Sequence, residues 1–178
     1  MLIIPGWLIA IATFPGIIVH EAGHLLFCRL RNVAVLEVCF LRFANPPGYV
    51  IHERAKDFTS SFLIAIGPFL LNTVLCLVIC FPSFLRVRVF GLGDPMSYLL
   101  LWLGVSVGMH AFPSTQDAEI LRQEAAQAAR RLNVLAIIAY PVSLLIYFAN
   151  ALRFIWFDYF YGIAIGILLP EILLRNAL

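Results

Sequence analysis

Apolar residues along this chain gather into five long stretches that polar segments separate. The stretches cover residues 2–30, 58–84, 92–112, 132–152 and 155–174. Each holds the ~20 residues that a helix needs to cross ~30 Å of hydrocarbon. None alternates with a period of two, as the strands of a membrane barrel do, and only helices or closed barrels satisfy their backbone in lipid. The pattern therefore predicts an all-α polytopic membrane protein with about five transmembrane helices.

Two polar segments interrupt this pattern and predict structure outside the bilayer core. In residues 31–57, a run rich in β-branched residues (33–40) and a short apolar run (49–52) flank the turn sequence Asn-Pro-Pro-Gly at 45–48. This order predicts a small β-hairpin at the membrane surface after the first helix. Residues 114–131 begin with hydroxyl residues that favour helix starts and continue with good helix formers, so they predict a polar helix.

The composition supports this class and excludes others. Hydrophobic residues make up 62% of the 178 residues and charged residues 12%, against about 25% charged in soluble domains. An ordinary soluble globule, a disordered chain and a nucleic-acid-binding module are excluded, and a net charge of +2 is too small to attract a polyanion. We expect a single membrane domain over residues 1–178, with a core of about 1–131 and additional C-terminal helices over about 132–178. The cysteines form no CxxC motif and are expected to be small buried or lipid-facing residues: Cys28, Cys39, Cys76 and Cys80.

Basic residues predict how the chain is oriented in the membrane. Nine of the 12 fall in the connection after the first stretch, in the connection after the third, and at the C-terminus. The other three are Arg86, Arg88 and Arg153. Because basic residues favour the cytoplasmic side, we expect the N-terminus outside and the C-terminus in the cytoplasm. The first stretch lacks the basic start and the small-residue cleavage site of a signal peptide, so we expect a retained helix.

One cluster of polar residues lies inside the first stretch. His20, Glu21 and His24 form an HExxH motif. On a helix, positions i and i+4 share one face, so both imidazoles can bind one metal ion, while Glu21 can address a water on that ion. Ionisable residues inside a membrane span are energetically costly and usually functional. The alternative interpretation of these three residues is a set of buried polar groups that pair with one another. The motif predicts a zinc site whose bound water has a pKa near ~7 and gives its proton to Glu21.

A catalytic zinc site needs a third protein ligand. The candidates are Asp117, His52, His110 and Glu171. The first and third stretches end on the same side of the membrane, which brings Asp117 to the depth of the HExxH motif. Asp117 therefore is the favoured ligand, although an acid in the first turn of a helix is also favourable for the helix dipole alone. Glu171 is interpreted as a residue at the end of the last span.

At these positions the chain resembles the site-2 protease family of intramembrane zinc metalloproteases. Residues 20–24 match the family's HExGH, residues 66–72 (IGPFLLN) are similar to its Gly-Pro…Asn stretch, and residues 110–118 (HAFPSTQDA) are similar to its Asn-x-x-Pro…Asp-Gly motif. The likeness covers about residues 10–120. His110 replaces the family's asparagine, Ala118 replaces its glycine, and the second motif is one residue longer than its commonest form, so the chain resembles a divergent, minimal member.

The resemblance implies a catalytic core of three helices and a role for several residues. Asp117 would be the third zinc ligand. His110 and Asn72 would be catalytic, donating hydrogen bonds to a substrate carbonyl or to the tetrahedral oxyanion. The alternatives are a satisfied histidine at a helix end for His110 and a hydrogen bond between helices for Asn72. The surface hairpin would present the substrate as an extended chain through residues 48–52.

The sequence thus predicts an intramembrane zinc metalloprotease that hydrolyses peptide bonds of transmembrane or membrane-associated proteins. Its partners would be such substrates and the lipid bilayer, not nucleic acid, with the active site towards the cytoplasm. One alternative is a zinc-binding membrane protein without protease activity that captures substrates, although pure binding needs no base such as Glu21. Another is a metal transporter, although this chain has no repeated halves and concentrates its ionisable residues in one layer.

Overall fold

A computed structural model describes residues 6–177, and these residues form a mostly helical protein (74% helix) with one small hairpin. The elements in chain order are α1 (Gly6–Ala12), α2 (Phe14–Leu30), β1 (Val35–Cys39), β2 (Tyr49–His52), α3 (Phe58–Arg88), α4 (Pro95–Met109), α5 (Thr115–Arg130), α6 (Val134–Ala151), α7 (Phe157–Ile163) and α8 (Leu169–Ala177). A 3₁₀ turn at Leu152–Ile155 follows α6, and a π-helical segment at Ala164–Leu168 joins α7 to α8.

The first apolar stretch forms two helices instead of one. α1 and α2 are separated at Thr13, whose hydroxyl donates a 2.7 Å hydrogen bond to the carbonyl of Ile9. Pro15 lies in the first turn of α2, where its missing N–H costs nothing. The predicted start of this stretch, residues 2–5, lies outside the described residues. The HExxH motif therefore lies on α2, a separate helix of 17 residues.

The predicted hairpin is confirmed. β1 and β2 pair in antiparallel fashion, with Cys39 opposite Tyr49 and Val38 opposite Val50. At the turn end, the guanidinium of Arg42 lies 4.6 Å from the centre of the Tyr49 ring. The end of the turn, at Gly48, lies against the side chain of Glu21 on α2.

Within the described residues, three helical segments are long and apolar enough to cross a membrane. They are α3, α6 and the run from Phe157 to Asn176, whereas α4 is a shorter apolar helix of 15 residues. These segments support a membrane protein, and the sequence prediction of five spans is met in part. α3 is the longest element, with 31 residues, and the side chain of Asp57 caps its first turn by accepting from the Ser60 N–H.

α5 is the predicted polar helix, and it lies beside the first half of α3. Ser114 caps it and shares a reciprocal capping box with Asp117. Its apolar face packs between α3 and α6 in a cluster that includes Ile66, Leu121 and Ile146. Burial of this face therefore fixes the start of α5 against the half of α3 that carries the candidate site.

The last two apolar stretches run in the same direction along α3, whereas successive membrane spans alternate in direction. Asn133, just before α6, lines one cavity with Phe58 at the start of α3, and Ile146 near the end of α6 packs on Ile66. After α6, the chain continues along α3 in the same direction.

Contacts of α7 and α8 show this continuation. The hydroxyl of Tyr161 lies 2.8 Å from that of Thr73, and Glu171 lies 3.5 Å from Arg88 at the end of α3. The 3₁₀ turn and Trp156, in a left-handed conformation with φ 65°, shift the chain sideways without reversing it. α8 therefore lies at the end of the bundle opposite to α5, whereas alternating spans would return the chain to the end that carries the HExxH motif. Hydropathy counts apolar stretches but does not encode their direction.

Candidate metal centre

α2 places the three HExxH residues in the interior. His20, Glu21 and His24 are 7%, 8% and 6% exposed. The two imidazole rings lie on one helix face, and their centres are 4.9 Å apart in an edge-on arrangement. Small residues on both sides of this helix allow the neighbours to approach closely. The backbone of Pro68 on α3 lies against Gly23, where an added Cβ would come within 2.9 Å of the Pro68 Cα.

Backbone carbonyls fix the orientation of both imidazoles. The Nδ1 of His20 lies 2.7 Å from the carbonyl oxygen of His110, and the Nδ1 of His24 lies 3.1 Å from that of Ile64. A carbonyl can only accept, so each Nδ1 carries a proton, and Nε2 is the nitrogen of each ring that is left to bind a metal ion. Metal-binding histidines in proteins commonly show this arrangement, because the outer hydrogen bond sets the tautomer and holds the ring.

Asp117 completes the cluster from the first turn of α5. Its Oδ2 lies 3.4 Å from the Nε2 of His24 and accepts hydrogen bonds from the Ser114 hydroxyl at 2.6 Å and from the Ser114 N–H at 3.1 Å. Burial alone would raise the pKa of Asp117, but the hydrogen bonds from His24 and Ser114 outweigh it and hold this pKa well below its ordinary value. The carboxylate is therefore charged and pre-oriented.

The geometry of the three side chains fits one metal ion. One ligand atom from each of His20, His24 and Asp117 lies within 4.8 Å of the others. In a tetrahedral zinc site with bonds of about 2.0–2.1 Å, neighbouring ligand atoms are about 3.3 Å apart, close to the 3.4 Å between His24 and Asp117. Two imidazoles and one carboxylate suit zinc, and they are also a donor set that binds iron(II).

Glu21 lies beside this cluster without belonging to it. The cluster of ligand atoms contains two histidines and Asp117 only, among the described residues. The end of the hairpin turn covers the Glu21 side chain, because a Cβ added to Gly48 would lie 2.8 Å from its Cγ and 3.1 Å from its Oε1. A glycine at position 48 therefore leaves room for the carboxylate, and the hairpin forms one wall of the site.

Asn72 and His110, the two further residues predicted to be catalytic, lie next to the cluster and make other contacts. Asn72 is fully buried, and its Nδ2 donates to the carbonyls of His110 at 3.0 Å and Val107 at 3.1 Å. The Nε2 of His110 lies 2.8 Å from the hydroxyl of Thr13. The structure thus gives Asn72 the contact between helices that the sequence left as its alternative. Direct roles towards a substrate stay predictions for both side chains.

The remaining candidate ligands lie elsewhere. His52 ends β2, and its Nδ1 donates to the carbonyl of Glu53. Glu171 pairs with Arg88 and Arg175 at the far end of α3. All four cysteines are free thiols, and Cys28, Cys76 and Cys80 are buried, as expected for small packing residues.

Sequence reasoning missed one residue near the site. The side chain of Asn150, near the end of α6, donates to the carbonyl of Pro113 at 3.0 Å, just before the turn that carries Asp117. An amide side chain within an otherwise apolar stretch is the signal that could have found it.

Comparisons of the chain with models of protein families, with curated proteins and with solved structures found no match.

Proposed function

We propose that this protein is an intramembrane zinc metalloprotease, a divergent member of the site-2 protease family, that cleaves transmembrane or membrane-associated protein segments. One observation carries the proposal. Two buried histidines and a partly buried aspartate from two separate elements converge, and a buried carboxylate that is not one of them, Glu21, lies beside them. A site that only stores metal has no need of that extra carboxylate.

Each side chain has a distinct part in the proposed chemistry. His20, His24 and Asp117 would hold the ion, which supplies a Lewis acid for the scissile carbonyl and acidifies a water molecule. Glu21 accepts the proton of the attacking water and returns a proton to the leaving amine. Gly48 and the hairpin cover the carboxylate from one side, so that its position relative to the ligands is restricted.

The basic residues support an orientation with the metal centre towards the cytoplasm. Eight of them lie at the end of the bundle that carries the site: Arg29, Arg31, Arg42, Arg54, Lys56, Arg122, Arg130 and Arg131. Three lie at the opposite end, where α3 and α8 finish: Arg86, Arg88 and Arg175. In this orientation the N-terminus lies outside, as the sequence predicts, whereas α8 ends at the outer end of the bundle instead of on the predicted cytoplasmic side.

The test compares cleavage and metal content in the purified full-length protein. Wild type, Glu21→Gln and the control Glu171→Gln are reconstituted in lipid vesicles with a mixed library of single-span membrane peptides. Mass spectrometry then identifies new peptide termini. Glu171 is a matched control because it is also a glutamate in an apolar segment, but it pairs with Arg88 at the other end of α3.

We expect new termini with wild type and Glu171→Gln, none with Glu21→Gln, and equal metal content in all three. Metal in wild type without any cleavage would instead support a metal-binding membrane protein that lacks protease activity. Equal cleavage by Glu21→Gln would exclude Glu21 as the base.

A further inference from the structure

The segment from His110 to Ser114, here named the connector, joins α4 to α5 and touches the metal cluster at both of its ends. At the first end, the His110 carbonyl accepts the 2.7 Å hydrogen bond from Nδ1 of His20. At the other end, Ser114 donates to the carboxylate of Asp117. The connector is neither helix nor strand, so helical hydrogen bonds do not fix its carbonyl groups before that of Ser114. Something else must hold them for the two ligands to face each other.

Two asparagine side chains hold the connector from different helices. Asn72 on α3 donates from Nδ2 to the His110 carbonyl at 3.0 Å. Asn150 on α6 donates from Nδ2 to the Pro113 carbonyl at 3.0 Å. Each Nδ2 also reaches a second backbone carbonyl, that of Val107 for Asn72 and that of Ile146 for Asn150.

Both asparagines also share an unfavourable feature. The Oδ1 atoms of Asn72 and Asn150 are buried and have no hydrogen-bond partner among the described residues. A buried amide oxygen without a partner destabilises a fold, and an apolar side chain of similar size removes that cost. Leucine would remove that cost, but it would also take the donor away from the carbonyls that each Nδ2 reaches, since only an amide supplies N–H groups aimed at the connector.

We propose that Asn72 and Asn150 are positioning residues that fix the two ends of the connector and thereby hold His20 and Asp117 at metal-binding distance. The proposal rests on the metal site of the proposed function and deepens it. Asn72 acts through the His110 carbonyl on His20, and Asn150 acts through Pro113 on the turn that carries Asp117. Neither side chain is required to touch the substrate.

The test separates positioning of the ligands from stabilisation of the fold. Asn72→Leu and Asn150→Leu are compared with Ser83→Ala on α3 and Ser143→Ala on α6. The two serines are matched controls because they are 1% and 0% exposed and each donates to a carbonyl of its own helix. The purified, metal-free proteins are titrated with Co²⁺, and both the affinity and the visible absorption are recorded. Thermal unfolding of the metal-free proteins is measured in the same detergent.

Loss of a group that orients a metal ligand commonly weakens binding about 10–100-fold. We expect this loss for both leucine variants, with a changed Co²⁺ absorption band and with a metal-free melting temperature no lower than that of the serine controls, which also lose a buried donor. The serine controls should bind Co²⁺ as wild type does. Affinities within twofold of wild type for the leucine variants would overturn the proposal, and so would an affinity loss accompanied by a metal-free melting temperature below that of the serine controls. Wild type that takes up no Co²⁺ would overturn the proposed function as well.

Discussion

The replacement Gly16→Ala tests how closely α2 must approach α4 for the metal centre to form. A Cβ at position 16 would lie 2.1 Å from the carbonyl oxygen of Ser106 and 2.6 Å from Cδ2 of His110. The first contact is with backbone, so no side-chain rotation relieves it. The helices must separate by about 1 Å before the contact reaches the 3.0 Å that real Cβ atoms respect. His20, one turn further along α2, would lose its hydrogen bond to the His110 carbonyl, because 2.7 Å would become about 3.7 Å.

Two costs add in this variant. Overpacking of a well-packed interior costs about 1–3 kcal/mol, and the lost hydrogen bond about 1 kcal/mol, so we expect a loss of about 2–4 kcal/mol in the free energy of unfolding. Titration of the detergent-solubilised protein with SDS measures this loss, and Co²⁺ binding should weaken at least tenfold. The control is Gly93→Ala, whose Cβ meets only the movable hydroxyl end of Tyr98. The close contact would be refuted if Gly16→Ala kept its Co²⁺ affinity and lost less than about 0.5 kcal/mol in the free energy of unfolding, which is below the ~1 kcal/mol of a typical overpacking cost.

Three further predictions follow from the same contacts. Ser114→Ala removes the cap of α5 and should cost about 1 kcal/mol of stability, with metal binding weakened about tenfold or more because the Asp117 carboxylate loses the hydrogen bond from the Ser114 hydroxyl. Gly48→Ala should leave metal content unchanged and lower cleavage about 100-fold, since its Cβ displaces Glu21; equal cleavage rates would contradict this contact. The Ser60 N–H and hydroxyl hold the pKa of Asp57 below its ordinary value, so this cap stabilises α3 above about pH 4 and is lost as the pH falls through the folded pKa. Melting temperatures from pH 7 to pH 3 should fall less for Asp57→Asn than for wild type.

Local spacing was sufficient to predict the central part of the site. His20 and His24 are four residues apart on one helix, and the structure places their rings side by side. Asp117 follows the third apolar stretch at the same depth, and its carboxylate reaches His24. The hairpin was predictable because β-branched runs flank a strong turn sequence. Each of these features depends on residues that are close in sequence or on the alternation of spans.

Other features depend on contacts between distant segments, which no local pattern encodes. The direction of α7 and α8 is set by packing on α3, as the pair of Arg88 and Glu171 shows. The contact of Gly48 with Glu21 depends on how the hairpin folds back onto α2. The roles of Asn72 and Asn150 depend on which backbone carbonyls lie opposite their side chains. Hydropathy placed Asn72 and Asn150 in apolar stretches, but it could not identify their partners.

Metal content of the purified protein tests the central claim most directly. The protein is produced in medium that supplies zinc and iron in equal amounts, purified in detergent without chelator, and analysed by inductively coupled plasma mass spectrometry beside His24→Ala and Asp117→Ala. If His20, His24 and Asp117 form one site, wild type should carry one zinc ion per chain and both variants far less. Wild type that carries no more metal than the two variants would contradict the claim, and one iron ion per chain would contradict the assignment of zinc.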